Sequence, residues 1–152
     1  MCRKTNSERK GGLYIHIPFC VRKCLYCDFY STTDLSLTHD FLSALKTEIR
    51  IRKSAFQKFD TVYIGGGTPS VMPPEQIENL FENIYKNFSI VPDAEITIEV
   101  NPGTVDLPAL KRYRKIGINR LSIGVQSFSE KNLRFLGRIH SVSDALKTVQ
   151  EA

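Results

Sequence analysis

Thr61-Val62-Tyr63-Ile64-Gly65-Gly66-Gly67-Thr68-Pro69-Ser70-Val71-Met72-Pro73-Pro74-Glu75-Gln76-Ile77-Glu78-Asn79-Leu80-Phe81-Glu82-Asn83-Ile84-Tyr85-Lys86-Asn87 contains one strand-to-helix unit, and its reading decides the fold. Residues 61–64 are a short β-branched and aromatic run, which reads as a buried strand ended by the three glycines. Pro74 suits the first turn of a helix. Ile77, Leu80, Phe81 and Ile84 recur at helical spacing, so 74–87 reads as a helix with one apolar face. The next apolar stretch, Glu95-Ile96-Thr97-Ile98-Glu99-Val100, reads as another strand, stopped by Asn101-Pro102-Gly103.

The same alternation extends both ways. Upstream, 12–17 reads as a strand. Residues 38–53 read as a helix carrying Phe41, Leu42, Leu45 and Ile49 on one face, with Thr38 as the candidate N-cap. Downstream come a helix over 106–116 stopped by Gly117, a strand over 120–125, a short helix near 129–136, and a last helix running from Ser141 to the end. Strands alternating with helices predict an α/β fold of parallel βα units, about four of them. The predicted organisation is a flexible N-terminus over 1–11 and one core domain over 12–152. A four-stranded parallel sheet with an uncovered edge is a liability, so the chain reads as the N-terminal part of a larger protein.

The chain has 152 residues, 41% hydrophobic and 24% charged, which is ordinary for a globular domain. No apolar run approaches the ~20 residues of a membrane span, and the polar, basic start has no apolar signal core. The expectation is a cytoplasmic protein with reduced thiols. The net charge of +5 is spread along helical faces, as in Arg50-Ile51-Arg52-Lys53 and Lys111-Arg112-Tyr113-Arg114-Lys115. That distribution lacks the concentrated stripe of a nucleic-acid module, although it suits an anionic substrate or peripheral contact with a membrane surface.

Three of the four cysteines lie in Phe19-Cys20-Val21-Arg22-Lys23-Cys24-Leu25-Tyr26-Cys27-Asp28-Phe29, spaced C-x3-C-x2-C. A closed zinc site wants four protein ligands, and a [4Fe–4S] cluster normally takes four thiolates. Three thiolates on one loop therefore point to a cluster with one iron left open to an outside ligand. Phe19, Tyr26, Phe29 and Tyr30 interleave with the cysteines and are candidates to keep such a cluster dry. The alternative is a zinc site completed by His16 or His39. Cys2, in the polar N-terminus, reads as a bystander.

Further candidates fall at the carboxyl ends of the predicted strands, where βα folds bind ligands. Gly65-Gly66-Gly67-Thr68-Pro69 permits close backbone approach and exposure of N–H groups to a carboxylate or phosphate; the alternative is a tight turn with no ligand. Glu99 and Gln126 suit hydrogen bonds to a ribose or amino group, or else are capping residues. Arg138 suits bidentate capture of a carboxylate, or else is a surface residue. His140 reads as structural or exposed.

Together, Tyr14-Ile15-His16-Ile17-Pro18-Phe19-Cys20, Cys24-Leu25-Tyr26-Cys27-Asp28-Phe29, Gly65-Gly66-Gly67-Thr68-Pro69-Ser70, Ile98-Glu99-Val100-Asn101-Pro102 and Asn119-Arg120-Leu121-Ser122-Ile123-Gly124-Val125-Gln126-Ser127-Phe128 closely resemble the radical S-adenosylmethionine (SAM) coproporphyrinogen III oxidase-like family. The resemblance runs from about residue 12 to the end and favours the heme chaperone (HemW) branch. It implies a partial (β/α)6 TIM-type barrel, of which this chain holds the first part. It implies that Cys20, Cys24 and Cys27 ligate a [4Fe–4S] cluster. It also places Tyr14, Tyr26, Gly66, Gly67, Thr68, Glu99, Gln126 and Arg138 at SAM-contacting positions.

In such proteins one electron from the reduced cluster cleaves bound SAM to methionine and a 5′-deoxyadenosyl radical. Implied partners are SAM, heme or a porphyrin, an electron donor such as flavodoxin or ferredoxin, and respiratory hemoproteins. The oxidase branch carries a fourth cysteine two residues after the third. Phe29 stands at that position here, which favours the chaperone over coproporphyrinogen III oxidation.

Overall fold

A computed structural model describes residues 11–53 and 58–152. Cys2 and nearly all of the predicted flexible N-terminus lie outside the described residues. Four strands, β1 (Gly11–Ile17), β2 (Phe59–Gly66), β3 (Ile90–Val100) and β4 (Arg120–Ile123), form one sheet in the order β1-β2-β3-β4. Every neighbouring pair is parallel. The connecting helices are α1 (Thr38–Arg52), α2 (Pro74–Asn87) and α3 (Leu107–Lys115), followed by α4 (Glu130–Phe135) and α5 (Val142–Glu151). The predicted α/β class with four βα units is what the chain adopts.

Strand alternation separates two faces. Ile15 and Ile17 of β1, Val62 and Ile64 of β2, and Ile96, Ile98 and Val100 of β3 are buried in one cluster. Ile77, Leu80, Phe81 and Ile84 of α2 enter the same cluster, as their helical spacing requires. Side chains one residue out of phase occupy the opposite face. There the register aligns Tyr14 with Tyr63, Tyr63 with Thr97, and Thr97 with Arg120. A central parallel strand is ordinarily apolar on both faces. Here one face is polar and aromatic.

Element boundaries shift from expectation in places. Thr38 is not the N-cap of α1. Asp34 caps a 3-10 turn at Leu35–Leu37, the helix continues directly out of that turn, and the Thr38 hydroxyl donates back to the Leu35 carbonyl at 2.7 Å. β3 begins five residues early, because Ile90 also pairs with Phe59. β4 stops at Ile123, two residues early: Gly124 N–H still donates to the Val100 carbonyl, and Val125 N–H then turns back to the Ile123 carbonyl, both at 2.9 Å. α5 opens on a capping box, with Ser141 and Asp144 exchanging hydrogen bonds. Between α2 and α3, Arg112 is held by Glu75 and, through two bonds at 2.8 and 2.6 Å, by Glu78.

Tyr113 of α3 is 2% exposed, and its hydroxyl has no hydrogen-bond partner among the described residues. Burial, and then Asp106, push its phenol from 10.0 up to about 12. An unfolded phenol ionises first, so the folded state keeps a proton that the unfolded state has lost. Stability from this group is whole below pH 10 and is lost as pH rises toward about 12; the two-unit shift corresponds to roughly 2–3 kcal/mol. Tyr113→Phe is expected to be neutral or stabilising by about 1 kcal/mol at neutral pH, since it removes an unpaired polar atom. It should also remove part of the alkaline loss, which thermal denaturation at pH 8 and at pH 11 measures.

Candidate functional site at the carboxyl ends of the strands

The carboxyl ends of β1, β2 and β3 carry most of the predicted residues. β1 runs into Pro18-Phe19-Cys20. Phe19 is buried edge-on against Phe41 of α1, and Cys20 is 8% exposed. The cysteine loop is anchored at its two ends: Cys20 N–H donates to the Thr32 carbonyl at 2.9 Å, and Thr32 N–H donates to the Pro18 carbonyl at 2.7 Å. Between these anchors lies the Cys27 N–H bond to the Cys24 carbonyl at 3.1 Å, with Lys23 Nζ donating to the Phe29 carbonyl at 3.4 Å.

Gly66 and Gly67 form the turn that seats this loop. Gly66 adopts φ +121°, and a Cβ there would come within 2.9 Å of the His16 ring and of the Ile17 carbonyl oxygen. At Gly67 a Cβ would lie 2.7 Å from the Phe19 carbonyl oxygen and 2.9 Å from Cys20 Sγ. The expectation that these glycines leave N–H groups free for a ligand is corrected. Gly67 N–H donates to the Ile17 carbonyl and Thr68 N–H to the Phe19 carbonyl, both at 2.8 Å. Gly66 N–H donates to Glu99 Oε2 at 3.0 Å. The backbone approaches closely here because the two strands end on a paired Ile17 and Gly66, and the segments leaving them stay paired through those donors.

Glu99 sits at the end of β3 on the polar face. Its other oxygen accepts from the Tyr63 hydroxyl at 2.7 Å. The Tyr63 ring stacks on Tyr14 at 6.0 Å and 28°. Burial first, with Glu99 adding to it, holds both phenols above their ordinary value, so they stay protonated as donors. Tyr14 also contacts His16 Nδ1 at 3.1 Å, and His16 Nε2 lies 2.9 Å from the Tyr30 carbonyl oxygen. His16 is thus spent on the sheet and the end of the loop. His39 is exposed beside Asp40 on α1. Neither histidine completes a zinc site with the cysteines.

Arg138, just after Gly137, points inward and is no free surface arginine. It donates to Asn101 Oδ1 and to the Gly124 carbonyl, both at 2.8 Å, and lies 3.6 Å from Cys24 Sγ. Its guanidinium also contacts His140 Nδ1, while His140 Nε2 lies 3.1 Å from the Val125 carbonyl oxygen. Those partners require the Nε2–H tautomer. Burial, then the Arg138 charge, lower the His140 pKa, so this histidine is a neutral structural acceptor. Tyr26 borders the same group: burial raises its phenol, and Arg138 opposes the rise. A narrow cleft lined by Cys24, Thr68, Asn101, Arg138 and His140 runs between the loop and the sheet.

Among the described residues no three His, Cys, Asp or Glu side chains converge to hold a metal ion. Cys20, Cys24 and Cys27 are free thiols on one loop, with Cys20 buried and the other two half-buried. Soft thiols are the donors an iron–sulfur cluster takes, and Arg138 and Thr68 stand beside two of them, so the donor set fits such a group. Metal-binding loops commonly close on the metal itself. The expected aromatic shield is only partly formed. Phe19 is buried, whereas Phe29 and Tyr30 are 69% and 80% exposed.

Gln126 is the one non-glycine with positive φ among the described residues, at 63°. Such strain marks a position held by its surroundings. Gln126→Gly is expected to raise the unfolding free energy of the ligand-free chain by up to about 1 kcal/mol, the ordinary cost of a side chain in this region. The same change removes the candidate ligand contact. A thermal melt beside a SAM titration measures both, and a destabilised variant would contradict the strain.

Asn101, Tyr63 and His140 complete the constellation, and the sequence motifs do not single them out as site residues. The strict alternation Glu95, Thr97, Glu99 is the sequence signal that marks the polar face. Asn101 has no local signal, since its side-chain partners Thr68 and Arg138 lie far away in the chain.

Comparison with known proteins places this geometry. A family model described as the Radical SAM superfamily matches residues 14–152. The chain is 40% identical over 146 residues to a mitochondrial radical S-adenosyl methionine domain-containing protein 1 of Danio rerio, covering 94% of this chain and 33% of that protein. It is 41% identical over 147 residues to the heme chaperone HemW of Escherichia coli strain K12, covering 93% of this chain and 38% of the relative. Among solved structures, the coproporphyrinogen III oxidase HemN of Escherichia coli superposes with a TM-score of 0.88 at 36% identity, over 95% of this chain and 34% of that one. The chain spans between a third and two fifths of the length of the curated relatives it matches. The likeness to HemW and HemN expected from the motifs is present, as is the TIM-like radical SAM fold. The chain belongs to the radical SAM superfamily.

Proposed function

We propose that this chain is the SAM- and cluster-binding portion of a heme chaperone of the HemW kind. The observation that carries the reading is the triad of free thiols at the carboxyl ends of the parallel strands, beside Glu99 and Arg138. With Cys20, Cys24 and Cys27 as its protein ligands, a [4Fe–4S] cluster would supply an open iron for SAM and the electron that cleaves it. The surrounding residues bind and orient. Gly66, Gly67 and Thr68 form a floor without bulky side chains. Tyr14 and Tyr26 flank it. Glu99 and Gln126 present acceptors and donors to the nucleoside, and Arg138 presents positive charge to the carboxylate.

In this reading the longer protein binds heme and passes it to respiratory hemoproteins in the cytoplasm or at the membrane surface. A flavodoxin or ferredoxin would be the electron donor. No helix among the described residues is long and apolar enough to cross a membrane. The runner-up is oxygen-independent coproporphyrinogen III dehydrogenase, favoured by the likeness to the HemN structure. Phe29, in place of a fourth cysteine, weighs against it. A third reading keeps cluster and SAM as non-catalytic ligands.

The test is to give the anaerobically reconstituted longer protein hemin in one arm, and coproporphyrinogen III with SAM and reductant in the other. The chaperone reading expects tight heme binding and no decarboxylated porphyrinogen. Turnover of coproporphyrinogen without heme binding contradicts it.

A further inference from the structure

We propose that Asn101 is a positioning residue that ties the Cys20 and Cys24 thiolates to one rigid point at the end of β3, an inference resting on the cluster reading above. Its side-chain amide works at both ends. Oδ1 accepts from Arg138 at 2.8 Å, and Nδ2 donates to Thr68 Oγ1 at 2.9 Å. The amide orientation is fixed chemically, because a guanidinium can only donate. Thr68 Oγ1 accepts from Asn101 and therefore has its single proton free for Cys20 Sγ, 3.4 Å away. Arg138 lies 3.6 Å from Cys24 Sγ. One amide thus aims one donor toward each of two sulfurs through a single intermediary apiece.

Asn101 is itself immobilised. Its N–H donates to Ser70 Oγ at 3.2 Å, and its carbonyl accepts from the Thr104 N–H at 3.1 Å and from the Thr104 hydroxyl at 2.7 Å. A Cβ on Gly124 would lie 2.5 Å from Asn101 Oδ1, so Gly124 leaves the space that the amide fills. Donors aimed at ligand sulfur stabilise a more reduced, more negative cluster, and residues behind the ligands tune metal sites in this way. Asn101 also holds the Arg138 guanidinium in place for a carboxylate.

The two arms are separable by substitution. Asn101→Asp keeps an acceptor for Arg138 but presents only acceptors to Thr68, so the Thr68 proton turns away from Cys20. Asn101→Leu removes both arms at similar volume. The experiment reconstitutes wild type and both variants anaerobically. It records iron and sulfide content, the midpoint potential of the cluster, the dissociation constant of SAM, and hydrogen exchange of the apoprotein over residues 20–32.

Both variants should still load the cluster, since the thiols remain. Both should show a lower midpoint potential. Asn101→Leu should bind SAM about tenfold more weakly, the scale of one lost charged hydrogen bond, and Asn101→Asp should retain most of that affinity. Exchange over 20–32 should quicken in Asn101→Leu while α2 stays unchanged. If wild type loads and the variants match it in potential, SAM affinity and exchange, the positioning role is overturned and the cluster reading stands. If wild type itself takes up no iron and sulfide, both are overturned. Should Asn101→Leu fail to fold, Asn101→Asp decides alone through its potential.

Discussion

Gly66→Val is expected to leave the chain largely unfolded. Gly66 holds φ +121°, a region that L side chains rarely adopt, and its missing Cβ would sit 2.9 Å from both the His16 ring and the Ile17 carbonyl oxygen. Strain of about 1–3 kcal/mol adds to a clash with backbone, which cannot yield as the tip of a flexible side chain does. Together they amount to several kcal/mol, a large share of the 5–15 kcal/mol that holds an ordinary domain folded. The β1–β2 junction also carries Phe19 and Cys20, so the lesion displaces the first cysteine as well. Circular dichroism melting of the ligand-free chain reads the effect. A variant that melts with the wild type would show that the turn is not built this way.

Replacing any one of Cys20, Cys24 or Cys27 by Ala is expected to abolish stable cluster loading. Three thiolates already leave one iron of a four-iron cluster without a protein ligand, and two would leave half of them bare. At Cys24 and Cys27 the change should fall on the cluster and not the fold. Cys24 and Cys27 are half-buried loop residues, and their side chains are not part of the apolar core. Iron and sulfide should drop from about four each per chain to a small fraction of that in every single variant. Cys2→Ala should load as wild type does. Ala variants that load fully, or a Cys2 variant that does not, would move the ligand set elsewhere.

Much of this was legible in the sequence, for physical reasons. The helix over 74–87 declared itself through Ile77, Leu80, Phe81 and Ile84, all of them in the core. The glycine run marked a turn that must accept an unusual φ, and the cysteine spacing marked three soft donors on one short loop. What the turn does was less legible. Its N–H groups serve Ile17, Phe19 and Glu99, and that depends on the segments beyond Ile17 and Gly66 staying side by side. The Thr38 cap failed because a 3-10 turn capped by Asp34 precedes the helix. Tyr63 and Asn101 escaped notice because their partners stand more than thirty residues away. The alternation through Glu95, Thr97 and Glu99 carries the polar face, a signal weaker than the strand pattern it sits in.

The claim at the centre is that three thiolates at the strand ends hold a cluster whose remaining iron takes SAM. Electron paramagnetic resonance of the reduced, anaerobically reconstituted protein, recorded with and without SAM, tests it most directly. The account predicts a [4Fe–4S] signal whose g-values shift when SAM is added, because the ligand enters the coordination sphere of the open iron. A signal indifferent to saturating SAM, or a protein holding stoichiometric zinc without sulfide, would contradict it.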